Sequence, residues 1–198
     1  MKLETYYKHL EGFIVKKVLF LSLVLVVSFL FVGCSAQNGS NPGLHFALKN
    51  NSGDSKLVFE DERIKIKFNF EKEFLTKNIS TLNFELKNKT ESTMKLLWEQ
   101  VTYIDTNGRA QSVLKSGVRF IEKDRAIPPT TIPSNSMIND LIISKENVNW
   151  NYISGSWIQE PLLKNKEIFD GKTIRLLIPL DIEEEIIEYD FIFKISYE

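Results

Sequence analysis

A single cysteine in 198 residues, Cys34, excludes any disulfide within the chain, so burial and hydrogen bonding must hold whatever core it builds. Histidine is almost as scarce. Both copies, His9 and His45, precede residue 57, which leaves the long C-terminal stretch without a Ser-His-Asp triad, a Cys-His pair or an ordinary histidine-bearing zinc site. Neither sign of charge dominates: 25 basic and 26 acidic side chains give a net charge of −1, and no basic excess invites nucleic acid. Only one long apolar run exists, Val18 to Val32. As a helix its fifteen residues reach about 22 Å, short of a hydrocarbon core of roughly 30 Å, so a retained transmembrane span is the weaker reading.

That run has the flanks of an export signal. Lys16 and Lys17 precede it and small Gly33 follows it, the order of a cleaved secretory leader. Residues 1–14 carry mixed polarity and two glutamates ahead of a signal that is complete without them. We expect the true start at Val15, read from a GTG codon, because Glu11-Gly12 requires a purine-rich stretch that resembles a ribosome-binding site.

At the end of the leader, Phe31-Val32-Gly33-Cys34 resembles the lipobox of bacterial lipoproteins, with Phe31 where leucine is usual. The resemblance covers only the leader and Cys34. It implies cleavage before Cys34, a thioether from its thiol to diacylglycerol, and acylation of the freed amine by a fatty chain such as palmitate. Membrane lipid is then a partner, and the cell envelope is the location. Ser35 stands where enteric-type lipoproteins kept in the inner membrane carry aspartate, which implies outer-membrane delivery in an organism with two membranes. Loss of residues 1–33 removes four lysines and two glutamates, leaving a formal charge of −3. Attachment needs no basic surface, because each buried methylene contributes about 0.8 kcal/mol and two or three chains suffice.

Residues 34–56 read as the lipidated cysteine and a tether. Ser35 to Lys56 is rich in Asn, Ser and Gly, and as a flexible coil it spans about 25 Å. Its short apolar island, Leu44 to Leu48, can instead dock on the domain. From Leu57 to Glu198 there is length for one domain with a substantial core.

Alternation is the leading signal in that domain. Ile64, Ile66, Phe68 and Phe70 interleave with Arg63, Lys65, Lys67 and Asn69, the period of a strand with one wet face. Leu82, Phe84 and Leu86 repeat it, as do Met94, Leu96 and Trp98. Asn88-Lys-Thr90 reads as a turn, and Asn107-Gly108 as a tight primed hairpin turn after Val101 to Asp105. Further strands are expected at Ala110 to Leu114, Val118 to Ile121, Met137 to Ile143, Thr173 to Leu180 and Ile186 to Tyr197. Three prolines between Ile127 and Pro133 withhold ladder donors, so that segment belongs at a sheet edge or in an extended connection. Eight or nine short strands without a long helix predict an all-β fold, an antiparallel immunoglobulin-like β-sandwich, with a small β-barrel as its rival. Gly117-Val-Arg-Phe120, the Pro-Pro-Thr to Ile-Pro linker and Trp157 to Leu162 follow in the order seen in uncharacterised bacterial lipoproteins. That similarity covers about Leu82 to Leu162 and implies no activity.

Catalytic candidates are few. Asp181 to Asp190 concentrates acids that can gather Ca²⁺ or supply a general acid and base, or simply form a solvated hairpin loop. Asp105-Thr-Asn-Gly108 has its glycine too early for a calcium loop and reads as a turn. No cofactor is expected. Lys115, Arg119, Lys123 and Arg125 surround one expected strand and can form an anionic-ligand patch, diluted by Glu122 and Asp124. Asn78-Ile-Ser80 and Asn88-Lys-Thr90 match the glycosylation triplet by chance. The binding candidates are Trp150, Tyr152 and Trp157, aromatics among turn formers that can stack on a glycan or anchor an envelope protein, or fold back to cap the sandwich. Two functions follow: a non-enzymatic lipoprotein presenting loops to an envelope partner, or a glycoside hydrolase whose two carboxylates converge to about 5–9.5 Å. An exposed hairpin at Glu183 to Glu188 would remove the second reading's only candidate.

Overall fold

The computed structural model describes residues 44–49, 57–69, 78–164 and 167–197. The leader, Cys34, Phe70 and the expected tether other than residues 44–49 lie outside the described residues. Of the two compact units into which the chain divides, all described residues fall in the second, Asn41–Glu198.

Thirteen strands carry the described structure. They are β1 (Leu44–Leu48), β2 (Val58–Glu60), β3 (Ile64–Asn69), β4 (Leu82–Asn88), β5 (Met94–Leu96), β6 (Thr102–Ile104) and β7 (Ala110–Leu114). The remainder are β8 (Thr130–Ile132), β9 (Met137–Ser144), β10 (Val148–Asn151), β11 (Ser156–Gln159), β12 (Thr173–Ile182) and β13 (Glu185–Tyr197). Every pairing among them is antiparallel. The order β1-β13-β12-β6-β7-β9-β4-β3-β2 forms one ladder, with β5 bridging β12 and β8. Only short 3₁₀ turns interrupt it, one of them Trp98–Gln100. The fold is all-β, an arrangement of antiparallel sheets that is sandwich- or barrel-like.

The ladder folds over at β7–β9, where only two residue pairs join its halves. Alternation then turns one face of each half inward. On β3, Ile64, Ile66 and Phe68 are buried while Lys65, Lys67 and Asn69 are exposed, and β12 and β13 follow the same rule against them. Phe68 meets Phe193 edge to face at 4.8 Å and Phe191 at 5.1 Å, Phe59 meets Phe191 at 5.6 Å, and Phe84 lies 6.3 Å from Trp98. Each fully buried phenylalanine contributes roughly 1.5–3 kcal/mol before chain entropy opposes it. Trp98 leaves the expected alternating strand for the 3₁₀ turn because its indole is consumed twice over. Its Nε1 donates to Thr130 Oγ1 at 2.8 Å, and the Lys115 ammonium sits 5.8 Å above its ring.

Several expectations need correcting. The island Leu44 to Leu48 takes the docked alternative and not the flexible one: it is β1, paired with β13 from Leu44↔Tyr197 to Leu48↔Phe193, because Leu44, Phe46 and Leu48 bury there. His45 thereby belongs to the folded domain, opposite Ser196. Val118 to Ile121 is not a strand: Gly117 takes a φ of 78° and Phe120–Glu122 coils into a 3₁₀ turn. Asn107-Gly108 does turn the chain, but only Gly108 takes positive φ (79°), and Asp105 to Arg109 closes a three-residue loop. There Asp105 Oδ1 accepts from the backbone N–H groups of Asn107 and Arg109. Burial pushes the Asp105 carboxyl up, yet those bonds and the Arg109 guanidinium outweigh it and hold the group below the usual range. The proline segment keeps to the periphery, since β8 pairs with β5 alone.

Candidate binding hairpin

The two-residue primed turn of this fold lies in the acidic run. Ile182 pairs with Glu185, and Glu183 and Glu184 make the turn with φ of 54° and 67°. Both glutamates, with Glu185 and Glu188, are exposed on this hairpin. Glu183 accepts a bond from Ser92, Asp181 pairs with Lys95 at 3.2 Å, and Asp190 pairs with Arg175 across the strands. The run is a solvated turn flanked by cross-strand ion pairs, and the carboxylate-pair reading loses its candidate there. Among the described residues no three His, Cys, Asp or Glu side chains converge to hold a metal. The turn stores strain, because a residue with a Cβ costs about 1–2 kcal/mol in the left-handed region. Glu184→Gly relieves it at some entropic cost in the unfolded chain, so we expect a net gain of about 0.5–1 kcal/mol. Thermal unfolding of the variant beside the parent checks this, and a lowered midpoint contradicts it.

The basic cluster is dispersed into structural duties. Lys115 donates to Thr130 Oγ1, Arg125 pairs with Glu122 at 3.0 Å, and Lys123 reaches the carbonyl oxygens of Lys145 and Val148. Three of the four cations are thus engaged within the domain, in keeping with a mixed face rather than a single basic patch.

What Lys123 ties down is the root of a hairpin that stands apart from the main ladder. β10 and β11 pair only with each other, in the register Val148↔Gln159, Asn149↔Ile158, Trp150↔Trp157 and Asn151↔Ser156. The sequence signals only a loop there, because each strand is four residues long and half polar, Val148-Asn-Trp-Asn151 and Ser156-Trp-Ile-Gln159. The root is built firmly. Val148 is buried, Asn147 Nδ2 donates to Pro161 O at 2.9 Å, Gln159 Nε2 donates to Ser80 O at 2.7 Å, and Ile79 bridges Leu163 through two backbone bonds. At the other end Asn151 Oδ1 accepts from the N–H groups of Ile153 and Ser154, while Gly155 takes the positive φ of 62° that closes the turn.

The three aromatic candidates therefore have three different fates. Trp157 packs partly against the core. Trp150 stands opposite it, edge on, with ring centroids 5.7 Å apart at 71°, and remains 41% exposed. Tyr152 sits at the tip and is 89% exposed; beside it Ile153, which sequence reasoning overlooked, is 99% exposed. The overlooked signal was local, an apolar Tyr-Ile pair set between Asn151 and Ser154-Gly-Ser156 with no alternating partner to bury it. No protein-family model matches the chain, and no curated protein is similar to it in sequence.

Proposed function

We propose that the chain is an envelope lipoprotein anchored in membrane lipid through acylated Cys34, and that its folded domain is a non-enzymatic binding module. The observation that carries the binding role is the β10–β11 tip, where two apolar side chains are held in solvent on a root fixed by buried contacts. Ordering such a tip without burying it sacrifices hydrophobic stabilisation, which makes sense if a partner buries it later. For the finer class of fold we favour the immunoglobulin-like sandwich, supported by two antiparallel halves packed through Trp98, Phe84, Phe68 and Phe191. Where the organism has two membranes, Ser35 after the cysteine favours the outer one.

A photoreactive residue placed at Tyr152, with Ile186 on the β12–β13 hairpin as the control position, tests the binding role in intact cells. A discrete adduct, whether with protein, glycan or lipid, is expected from the tip and not from the control. Equal labelling from both positions, or none from the tip, sinks it.

A further inference from the structure

Resting on the membrane-tethered reading, we infer that the occupant of the β10–β11 tip is the lipid surface itself. Charge is the first argument. Asn147 to Gln159 contains no Asp, Glu, Lys, Arg or His, in a chain that is 26% charged, and charges resume at once on either side with Glu146 and Glu160. An element that enters a headgroup region must shed ions, while tyrosine, tryptophan and isoleucine, apolar bodies with at most one polar end, are at home there. Part of the tip's polar surface is satisfied locally: Asn151 takes the N–H groups of Ile153 and Ser154, and the Ser154 and Ser156 hydroxyls bond each other at 2.8 Å.

Placement is the second argument. From Phe59 to Phe68 the contacts across the core shift from Tyr189 and Phe191 to Phe191 and Phe193, toward Tyr197. In register, Phe59 lies beside Ile66 and Leu86, and Phe68 beside Phe84, so moving from Leu86 back to Phe84 also moves toward Tyr197. Ser80 and Ile79 continue that direction, and they hold the hairpin root through Gln159 and Leu163. Leu44, opposite Tyr197, is at the same end. Only ten peptide units join Leu44 to Cys34, a covalent reach of at most about 35 Å. A membrane that holds Cys34 is thus within reach of the end that carries the uncharged hairpin.

A flat glycan platform of two coplanar rings is not formed, because Trp150 and Trp157 meet edge on and Trp157 packs partly against the core. The bilayer interface asks for no complementary charge and no matched shape.

All three tryptophans lie in the described domain and Trp98 is 1% exposed, so contact quenching from lipid reports on the hairpin. The full chain, purified from membranes, is reconstituted into phosphatidylcholine vesicles whose acyl chains carry bromine. We expect flotation with the vesicles and a loss of about a third or more of the tryptophan emission relative to unbrominated lipid. Tyr152→Ser with Ile153→Ser should leave flotation intact and cut the quenching at least threefold, a change of two largely exposed side chains outside the core. Flotation without quenching, or quenching that ignores the double substitution, overturns this inference alone. A parent chain that does not float overturns the tethered reading and this inference with it. Shielding of the tip by a protein or by peptidoglycan fragments, with vesicles leaving it unquenched, assigns the hairpin to that partner and overturns it too.

Discussion

Cells producing Cys34→Ser should incorporate labelled palmitate into this protein only at background, whereas the parent chain is labelled. The reason is chemical: a thioether needs a thiolate nucleophile, and the serine hydroxyl at the same place supplies none. No other cysteine can substitute, because the chain has one. Cleavage before residue 34 should fail together with lipidation, so intact-mass measurement should find the leader, residues 15–33 from the expected start, still attached in the variant and absent from the parent. The energetic consequence is large. Each methylene withdrawn from water contributes about 0.8 kcal/mol, so two long chains hold the parent at the bilayer almost irreversibly. An unlabelled parent, or a variant labelled as well as the parent, ends the lipid-anchor proposal. The crosslinking test at Tyr152 keeps its meaning separately, whereas the bilayer inference falls with the anchor.

Asn88→Ala should lower the stability of the folded domain by about 3–4 kcal/mol, the largest loss we expect from any single polar side chain here. Asn88 is 0% exposed. Its Nδ2 faces three carbonyl oxygens, those of Ser92 at 2.8 Å, Ile132 at 3.1 Å and Pro133 at 3.0 Å. Its Oδ1 accepts from Thr90 N at 2.9 Å and Thr90 Oγ1 at 2.8 Å. One amide thus ties the end of β4 to β8 and to the turn that leads into β5. Alanine takes the amide away from Ile132 O and the acceptor away from Thr90 N, while Ser92 O keeps Thr90 Oγ1 and Pro133 O keeps Ser136; each buried group so stranded costs about 1–3 kcal/mol, less where water can enter. Asn88→Asp separates the donors from the volume, because it keeps the size but aims a carboxylate at three carbonyls. It should be at least as damaging as alanine. Urea unfolding of the two variants beside the parent measures both, and a loss under about 1 kcal/mol for alanine contradicts the hub role. The same geometry disposes of the glycosylation triplet at this position, since the nitrogen a glycan would use is the one engaged in the core.

Legibility in the sequence followed burial pattern. β3, β4 and β13 were readable because buried residues alternate along each with exposed or half-buried ones over six residues or more, and the period of two survives any detail of packing. The edge placement of the proline segment was readable because a missing N–H is a local fact. β1 was harder: its five residues look like an island in a polar tether, and their partner lies some 150 residues away on β13, a pairing that no local pattern encodes. Val118 to Ile121 failed the other way, with strand-like residues bent into a 3₁₀ turn after Gly117. The two-residue turn was assigned to Asn107-Gly108, where such turns are cheapest, yet it formed at Glu183-Glu184. The long β12–β13 ladder fixes where that turn must fall and overrides the residues' own preference.

For the candidate site, the sequence by itself picked out the three aromatics and the absence of histidine chemistry beyond residue 45, because composition and turn propensity are properties of the chain alone. It also determined the all-β class, since a period of two needs no knowledge of partners. The tertiary structure decided which aromatics remain outside. Trp157 is drawn inward because β10 and β11 spring from a root anchored on Ser80 and Lys123, while Tyr152 and Ile153 at the tip stay exposed. It also decided that this hairpin and the entry to β1 share one end of the sheets, a relation set by strand register between distant segments.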